Sequence, residues 1–179
     1  DSPFVVLLPD ILLDDAKADL KKDNLSHMIA RFEQTGLSQV LVQKADEHVL
    51  HDYSVVEGEA SNLKPGESAR ITSIIEKPAP ETKLESNYSA VGRYVLSADI
   101  WPLLAKTPPG AGDEIQLTDS IEMLMQQETV EAYHLKGVSH DCGNKLGYMQ
   151  AFVEYGMRHA SLGKEFSQWL QQVVAADKK

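Results

Sequence analysis

The sequence predicts an α/β fold in which helices flank a mixed, mainly parallel sheet. Residues 4–8 form a continuous apolar run, partly β-branched and closed by Pro9, which is typical of a strand buried on both faces. Residues 24–34 carry apolar side chains at the i, i+3, i+4 and i+7 spacing of an amphipathic helix, with Gly36 as its stop. A second apolar strand over residues 39–42 completes a strand–helix–strand unit.

The middle of the chain changes to shorter β-rich pieces. Strands are predicted over residues 53–57 and 69–75, joined by a turn-rich stretch that we expect to be exposed. Further strands are predicted over residues 89–96 and 130–135, with a short helix over residues 98–105. These pieces add strands to the sheet that the first unit begins.

The chain ends in helices. Residues 118–127 are predicted as a helix that Thr118 or Asp119 can cap, because short polar side chains satisfy the free N–H groups of a first turn. Apolar residues between 146 and 160 mark one face of a long helix, and a last helix carries apolar side chains on one side, namely Phe166, Trp169, Leu170 and Val173. A stripe of this kind predicts either packing onto the same subunit or an interface with a second copy.

Composition excludes several classes of protein. The net charge of −10 and the pI near 5.0 argue against nucleic-acid binding, which needs a cationic surface. No apolar run has the roughly 20 residues of a membrane helix. Cys142 is the single cysteine, so no internal disulfide can form, and we expect a reducing cytoplasm. No secretory signal is visible at the start of the sequence. The abrupt entry into an apolar strand predicts an internal piece of a longer protein.

Two acids follow predicted strands. Asp10 comes just after the first strand, and Asp141 ends a strand that is followed by a Gly143 turn and a helix opening at Lys145. Ligands of open α/β sheets bind outside the carboxyl ends of strands, and a carboxylate there could hold a divalent cation. The alternative for Asp10 is a turn residue or a helix cap, and Lys145 could meet a phosphate or be solvated. Asp14 and Asp15 are expected to be solvated.

Glu76 and Lys77 end a further strand and are stopped by Pro78. Adjacent side chains on a regular strand face opposite ways, but a turn before proline would let both line one pocket. A carboxylate accepts hydrogen bonds from sugar hydroxyls, and an ammonium neutralises phosphate. The alternative is a pair of exposed residues on a strand rim.

Gly92 interrupts the otherwise solid strand at Val91-Gly92-Arg93-Tyr94. A glycine inside a strand usually marks a bulge or the close approach of another group, and packing room for a helix is an equal alternative. Glu114, Gln116 and Asp119 could reach a ligand, although each also has a plausible role in helix capping.

Taken together, these motifs resemble the bacterial UTP–glucose-1-phosphate uridylyltransferase family. The resemblance runs along the chain through Leu8-Pro9-Asp10, Ile75-Glu76-Lys77-Pro78, the segment 92–101 and the segment 139–151. It implies a Rossmann-like nucleotide-diphospho-sugar transferase fold. The Gly-rich nucleotide loop of that family is not found in residues 1–179, so we expect the fold to be incomplete at its N-terminal side.

The resemblance also implies a reaction and its residues. A glucose 1-phosphate oxygen attacks the α-phosphorus of UTP, UDP-glucose forms and pyrophosphate leaves, with Mg²⁺ as cofactor. Lys77 and Asp10 are the implied catalytic residues, and Asp10 and Asp141 the metal ligands. The implied substrate-binding residues are Glu76 for glucose hydroxyls, Lys77 for phosphate, and Val91, Gly92, Ser54 and Lys145. Ser54 departs from the glycine that is commoner in the family.

The resemblance leaves the role of this chain open. We expect a single domain over residues 1–179, with residues 1–145 binding sugar and phosphate and residues 146–179 forming helices that assemble a homo-oligomer, a dimer or a tetramer. By itself the chain is expected to be inactive. The alternatives are a regulatory paralogue that has lost catalysis and a pure assembly module. No nucleic-acid or membrane partner is expected.

Overall fold

The computed structural model describes residues 2–14, 16 and 18–177, and these divide into two compact units. The sheet unit comprises the described residues of Asp1–Leu8 and Asp15–Val138, and the helical unit those of Pro9–Asp14 and Ser139–Lys179. The strands are β1 (Phe4–Leu7), β2 (Ile11–Asp14), β3 (Ser38–Lys44), β4 (Ser54–Gly58), β5 (Ser68–Glu76), β6 (Tyr88–Leu96), β7 (Val130–His134) and β8 (Val138–Asp141). The α-helices are α1 (Leu25–Thr35), α2 (Ile100–Leu104), α3 (Leu117–Leu124), α4 (Lys145–Met157) and α5 (Gly163–Asp177).

The sheet unit contains a six-stranded sheet in the order β1-β6-β3-β7-β5-β4. Strand β4 also pairs with β6. The five strands β6, β3, β7, β5 and β4 therefore form a closed ring of pairings. This confirms the prediction of a mixed α/β fold. Within the described residues of this sheet only β3 and β7 pair in parallel, so the prediction of a mainly parallel sheet was wrong. The connection from β4 to β5 contains no crossover α-helix, and a connection of this kind gives antiparallel neighbours.

The first strand also differs from its prediction. β1 lies at the end of the strand order and pairs antiparallel with β6, from Phe4 opposite Leu96 to Leu7 opposite Arg93. Its side chains alternate between half-buried and exposed, and Leu7 is 54% exposed. A continuous apolar run therefore did not identify a strand buried on both faces here, because its exposure depends on what covers it.

The core of the sheet unit is built from the sheet and the helices that pack on it. Its fully buried side chains come from the central strands and from the inner faces of α2 and α3, and include Val40, Val42, Tyr88, Leu96, Ile100, Ile121 and Leu124. Helix α1 begins after Asn24 and ends at Gly36, whose N–H donates to the Phe32 carbonyl at 2.7 Å, as the sequence predicted. Burial of this apolar set is the main source of stability.

The helical unit pairs β2 with β8 and carries α4 and α5. The sequence did not predict β2, which has only four residues and ends in Asp14. The two helices contact each other through aromatic rings, with centroids of Phe152 and Phe166 6.1 Å apart. Across the described ranges, no helix combines the length and apolar composition required to span a bilayer.

Candidate active site

A carboxylate held by two hydroxyl groups lies at the end of β5. Ser54 on β4 is directly opposite Glu76 on β5, and its Oγ donates a hydrogen bond to Glu76 Oε2. Thr118 Oγ1 donates to the same oxygen at 2.9 Å. The two hydroxyl oxygens are 3.2 Å apart. Glu76, on β5, is thus positioned by side chains from two other elements, β4 and α3.

Thr118 differs from its predicted role. The N-cap of α3 is Gln116, and no side chain caps this helix. Thr118 is instead only 4% exposed and its hydroxyl is directed to Glu76, while Gln116 Nε2 donates to the Ala111 carbonyl at 2.8 Å and so braces the preceding loop. The prediction that Thr118 or Asp119 caps the helix was therefore wrong. Sequence proximity favours a local cap, and it gives no sign of a partner 42 residues away.

The chain turns sharply at Lys77, as expected at a strand end before proline. Lys77 has a φ of 42°, which is uncommon for a residue with a side chain. Its N–H donates to the Tyr53 carbonyl at 3.1 Å, and the buried Pro78 presents its carbonyl 2.9 Å from His51 Nδ1. The Lys77 side chain itself is exposed.

Strand β6 carries a bulge at the predicted glycine. Val40 and Val42 of β3 lie opposite Tyr94 and Ala90, so β6 contains extra residues between these pairs. Gly92 has a φ of 63°, and a Cβ there would lie 2.9 Å from Leu8 Cβ. Both predicted reasons for a glycine, a bulge and a close approach, are thus confirmed.

The charge of Glu76 also affects a neighbouring phenol. Burial, and secondarily the negative charge of Glu76, raise the pKa of Tyr94 far above its ordinary value of 10.0. Tyr94 is 4% exposed, and with this raised pKa its phenol is uncharged at neutral pH. Val91, on the same strand, is buried as well, with 2% of its surface exposed.

In the helical unit, two carboxylates converge on Gly143. A Cβ added to Gly143 would lie 3.1 Å from Asp10 Oδ2 and 3.2 Å from Asp141 Oδ1. The Gly143 N–H donates to Asp141 Oδ1 at 3.0 Å, and the Cys142 N–H donates to the Asp10 carbonyl at 2.8 Å. The structure thus brings together the two acids that the sequence singled out as metal ligands.

This carboxylate pair fits a hard divalent cation. Asp10 is exposed and Asp141 is half-buried, and both offer oxygen atoms, which Mg²⁺ prefers. A side chain at position 143 would crowd both carboxylates, because an added Cβ would lie in tight contact with an oxygen of each. Lys145 is the first residue of α4 and is exposed, and the preceding Asn144 caps that helix by accepting from the Leu146 N–H at 2.8 Å.

Asp14 is buried rather than solvated, which corrects the prediction; Asp15 lies outside the described residues. Both Asp14 carboxylate oxygens accept from the Arg158 guanidinium, and Asp14 is 8% exposed. Ligand atoms of Asp14, His140 and Glu154 lie within 4.8 Å of one another, a spacing that could hold a metal. The two-point contact with Arg158 favours a structural role for Asp14.

A comparison with known sequences places this mixed α/β fold, with acids at its strand ends, in a family. The chain belongs to the nucleotidyl transferase family, whose sequence model matches residues 1–157.

Within that family the chain is similar to the enzymes that its motifs resemble. It is 58% identical, over 178 residues, to the UTP–glucose-1-phosphate uridylyltransferase of Escherichia coli (strain K12). That match covers 99% of this chain and 58% of the relative. The chain thus spans a little over half the length of this relative.

Solved structures give the same result. A UTP-bound UGPase from Acinetobacter baumannii is 43% identical with a TM-score of 0.82, and the match covers 96% of this chain and 56% of that one. A UDP-glucose pyrophosphorylase complexed with UDP-glucose is 31% identical with a TM-score of 0.79, covering 88% of this chain and 57% of that one.

Proposed function

We propose that this chain carries the sugar-binding and metal-binding residues of an enzyme that makes UDP-glucose and pyrophosphate from UTP and glucose 1-phosphate. The observation that carries the proposal is Glu76, a carboxylate fixed by two hydroxyls at a strand end with the Lys77 ammonium next along the chain. The 58% identity to a UTP–glucose-1-phosphate uridylyltransferase supports this substrate pair over other sugar phosphates.

In this proposal Glu76 orients the sugar and Lys77 acts on the phosphate. The Glu76 carboxylate accepts hydrogen bonds from glucose hydroxyls, which fixes the sugar in one orientation. The Lys77 ammonium neutralises phosphoryl oxygens as a compact point charge. The main chain at Val91 and Gly92 and the Ser54 hydroxyl line the sugar pocket, and Lys145 offers a second cation for phosphate.

The reaction needs no covalent intermediate with the protein. An ionised oxygen of glucose 1-phosphate forms a bond to the α-phosphorus of UTP, while the bond from that phosphorus to the oxygen of the leaving pyrophosphate breaks in line. Because the attacking oxygen already carries a negative charge, no general base is required. The protein contributes alignment of the two substrates and neutralisation of charge.

Mg²⁺ is the proposed cofactor, with Asp10 and Asp141 as its protein ligands. When bound, it supplies positive charge to the phosphoryl oxygens. Asp10 and Asp141 supply two negative oxygen ligands beside Gly143, where a side chain would crowd both carboxylates. Asn144 and the N–H of Gly143 hold this turn in shape.

Pyrophosphate release from UTP and glucose 1-phosphate tests the proposal. We expect the full-length gene product that carries this sequence to form UDP-glucose, and the 179-residue chain alone to show negligible turnover. Glu76→Gln in the full-length protein should raise KM for glucose 1-phosphate and leave KM for UTP unchanged. A full-length protein that binds both substrates and forms no UDP-glucose would contradict the proposal and favour a regulatory role.

We also propose a cytoplasmic homo-oligomer, a dimer or a tetramer, assembled through α4 and α5. The support is the exposed apolar surface of these helices, with Phe152 62%, Trp169 54% and Val174 50% exposed. Sedimentation of the 179-residue chain should show self-association that Trp169→Glu weakens, with the exposed Gln168→Glu as the control. A monomer at tens of micromolar would contradict this assembly.

A further inference from the structure

The hydroxyl groups of Ser54 and Thr118 hydrogen-bond to the side chain of Glu76 and do not cap a helix. Each hydroxyl has one proton, and both protons are used if Ser54 and Thr118 each donate to Glu76 Oε2. The 3.2 Å approach of the two hydroxyl oxygens then carries no proton of its own. Oε2 is thereby saturated, while Oε1 accepts no hydrogen bond from any residue of the described ranges. One oxygen of Glu76 is fixed and the other is left for a ligand.

Helix α3 is held against β5 at two points. Thr118 donates to Glu76, and one helical turn later Glu122 Oε2 accepts from the Ile74 N–H at 2.8 Å. Four residues of helix rise about 6 Å and two residues of strand advance about 6.7 Å, so the two contacts are in register. The Glu122 contact therefore keeps α3 in place even without the Thr118 hydroxyl.

We propose that Thr118 is a positioning residue for sugar recognition, which with Ser54 fixes Glu76 so that Oε1 accepts from the hydroxyls of a hexose 1-phosphate. This inference rests on the proposed function. The proposal means that helix α3, through Thr118, also contributes to the choice of sugar. The buried Thr118 touches Glu76 rather than the ligand, so its effect is on orientation and not on charge.

The test compares Thr118→Val with Thr118→Ser in the full-length protein. Valine keeps the shape of threonine and removes the hydroxyl, so we expect KM for glucose 1-phosphate to rise about 10-fold, with kcat and KM for UTP within about twofold of wild type. Serine keeps the hydroxyl and should restore KM to within about twofold. Thr107→Val is the matched control, because Thr107 is also buried and hydrogen-bonded, to the Leu103 carbonyl and to Ser120.

A second readout separates positioning from general destabilisation. Discrimination between glucose 1-phosphate and its monodeoxy analogues should narrow in Thr118→Val, because a loosely held Glu76 no longer distinguishes a hydroxyl from its absence. Thr107→Val should leave that discrimination unchanged. If Thr118→Val fails to fold, Ser54→Ala removes the other donor from Oε2 and should narrow the discrimination in the same way.

Unchanged KM and discrimination in Thr118→Val or Ser54→Ala, in an active wild-type background, overturn the positioning role alone. Equal losses for every substrate in Thr118→Val and Thr107→Val also overturn it, because they indicate a structural role. A wild-type protein that forms no UDP-glucose overturns the proposed function, and this inference with it.

Discussion

Glu76 and Asp141 are both the last residue of a strand, yet the two carboxylates are held in different ways. Glu76 accepts hydrogen bonds from the side chains of Ser54 and Thr118. Asp141 accepts from the main-chain N–H of Gly143, two residues further along its own chain. The first arrangement brings in side chains from two other elements, and the second includes a turn of the same segment.

The difference corresponds to what each carboxylate would bind. A sugar hydroxyl is neutral and directional, so its acceptor benefits from a fixed orientation. Mg²⁺ keeps several waters and takes only one or two carboxylates from a protein, so few protein ligands have to be held in place. In the proposed function, an acid at a strand end is thus one sequence feature that serves two kinds of site.

The largest effect is expected at Lys77, the residue next to Glu76, and it tests the proposed phosphate contact. Lys77→Ala in the full-length protein should lower kcat/KM by about 100-fold, because a lost charge contact on phosphate is worth about 3 kcal/mol. Lys83→Ala, an exposed lysine on the following loop, is the control and should be near wild type. Near-normal kinetics of Lys77→Ala would remove Lys77 from the phosphate site.

Glu76→Gln should separate orientation from charge at the same strand end. We expect KM for glucose 1-phosphate to rise about 30-fold, because the amide replaces one carboxylate oxygen with a donor and a charged acceptor is lost. Turnover at saturating sugar should fall much less. Steady-state kinetics with each substrate varied in turn would measure both, and an equal rise in KM for UTP would contradict the assignment.

Glu131 is a carboxylate whose contact with Arg31 stabilises the fold, and it serves as a structural reference for the two site carboxylates. Its contribution to stability depends on pH. The Arg31 guanidinium, with contacts of 2.8 and 2.9 Å, holds the pKa of Glu131 below its ordinary value of 4.5, against the opposing effect of burial. A lowered pKa stabilises the fold above about pH 4.5, and this stabilisation is lost as pH falls through the lower, folded-state pKa.

Arg31→Met should therefore lower the free energy of unfolding by about 2 kcal/mol at pH 7, since it leaves Glu131 without its cation. The difference from wild type should shrink as the pH falls below 4.5. Urea unfolding at several pH values measures it. Lys22→Met, which removes an exposed pair with Asp19, is the control and should change stability little. A difference independent of pH would contradict the ionic origin.

The smallest effect is expected at the carboxylate pair of Asp10 and Asp141. Asp141→Asn and Asp10→Asn should each raise the Mg²⁺ concentration required for half-maximal activity by about 10-fold, because fewer charged ligands weaken a divalent site. Asp46→Asn, at an exposed position in the sheet unit, should leave it unchanged. Identical magnesium dependence in all of these variants would remove the pair from the metal site.

Local patterns predicted the local features of this protein. The helix that ends at Gly36, the bulge at Gly92 and the turn at Lys77 follow from backbone preferences of a few residues. The pairing direction of β1 and the burial of Asp14 did not, because each depends on a partner far along the chain, β6 in one case and Arg158 in the other.

The residues of the candidate site also fall into those that the sequence predicted and one that it missed. Residues 10, 76, 77 and 141 were recognisable because an acid or a base stood at a predicted strand end. Thr118 was not, since its hydroxyl contacts an element that only the tertiary fold brings near. Sequence therefore identified the groups with charge and missed a neutral group that orients one of them.

The φ of 42° at Lys77 has a consequence for how this protein could evolve or be engineered. A residue with a Cβ in this left-handed conformation costs about 1–2 kcal/mol, whereas glycine adopts it without that penalty. A library screened for thermal tolerance alone would therefore enrich glycine or asparagine at position 77. Such variants would gain thermal stability and lose the ammonium group of Lys77, which the proposed mechanism uses. Thermal stability and turnover therefore oppose each other at this position.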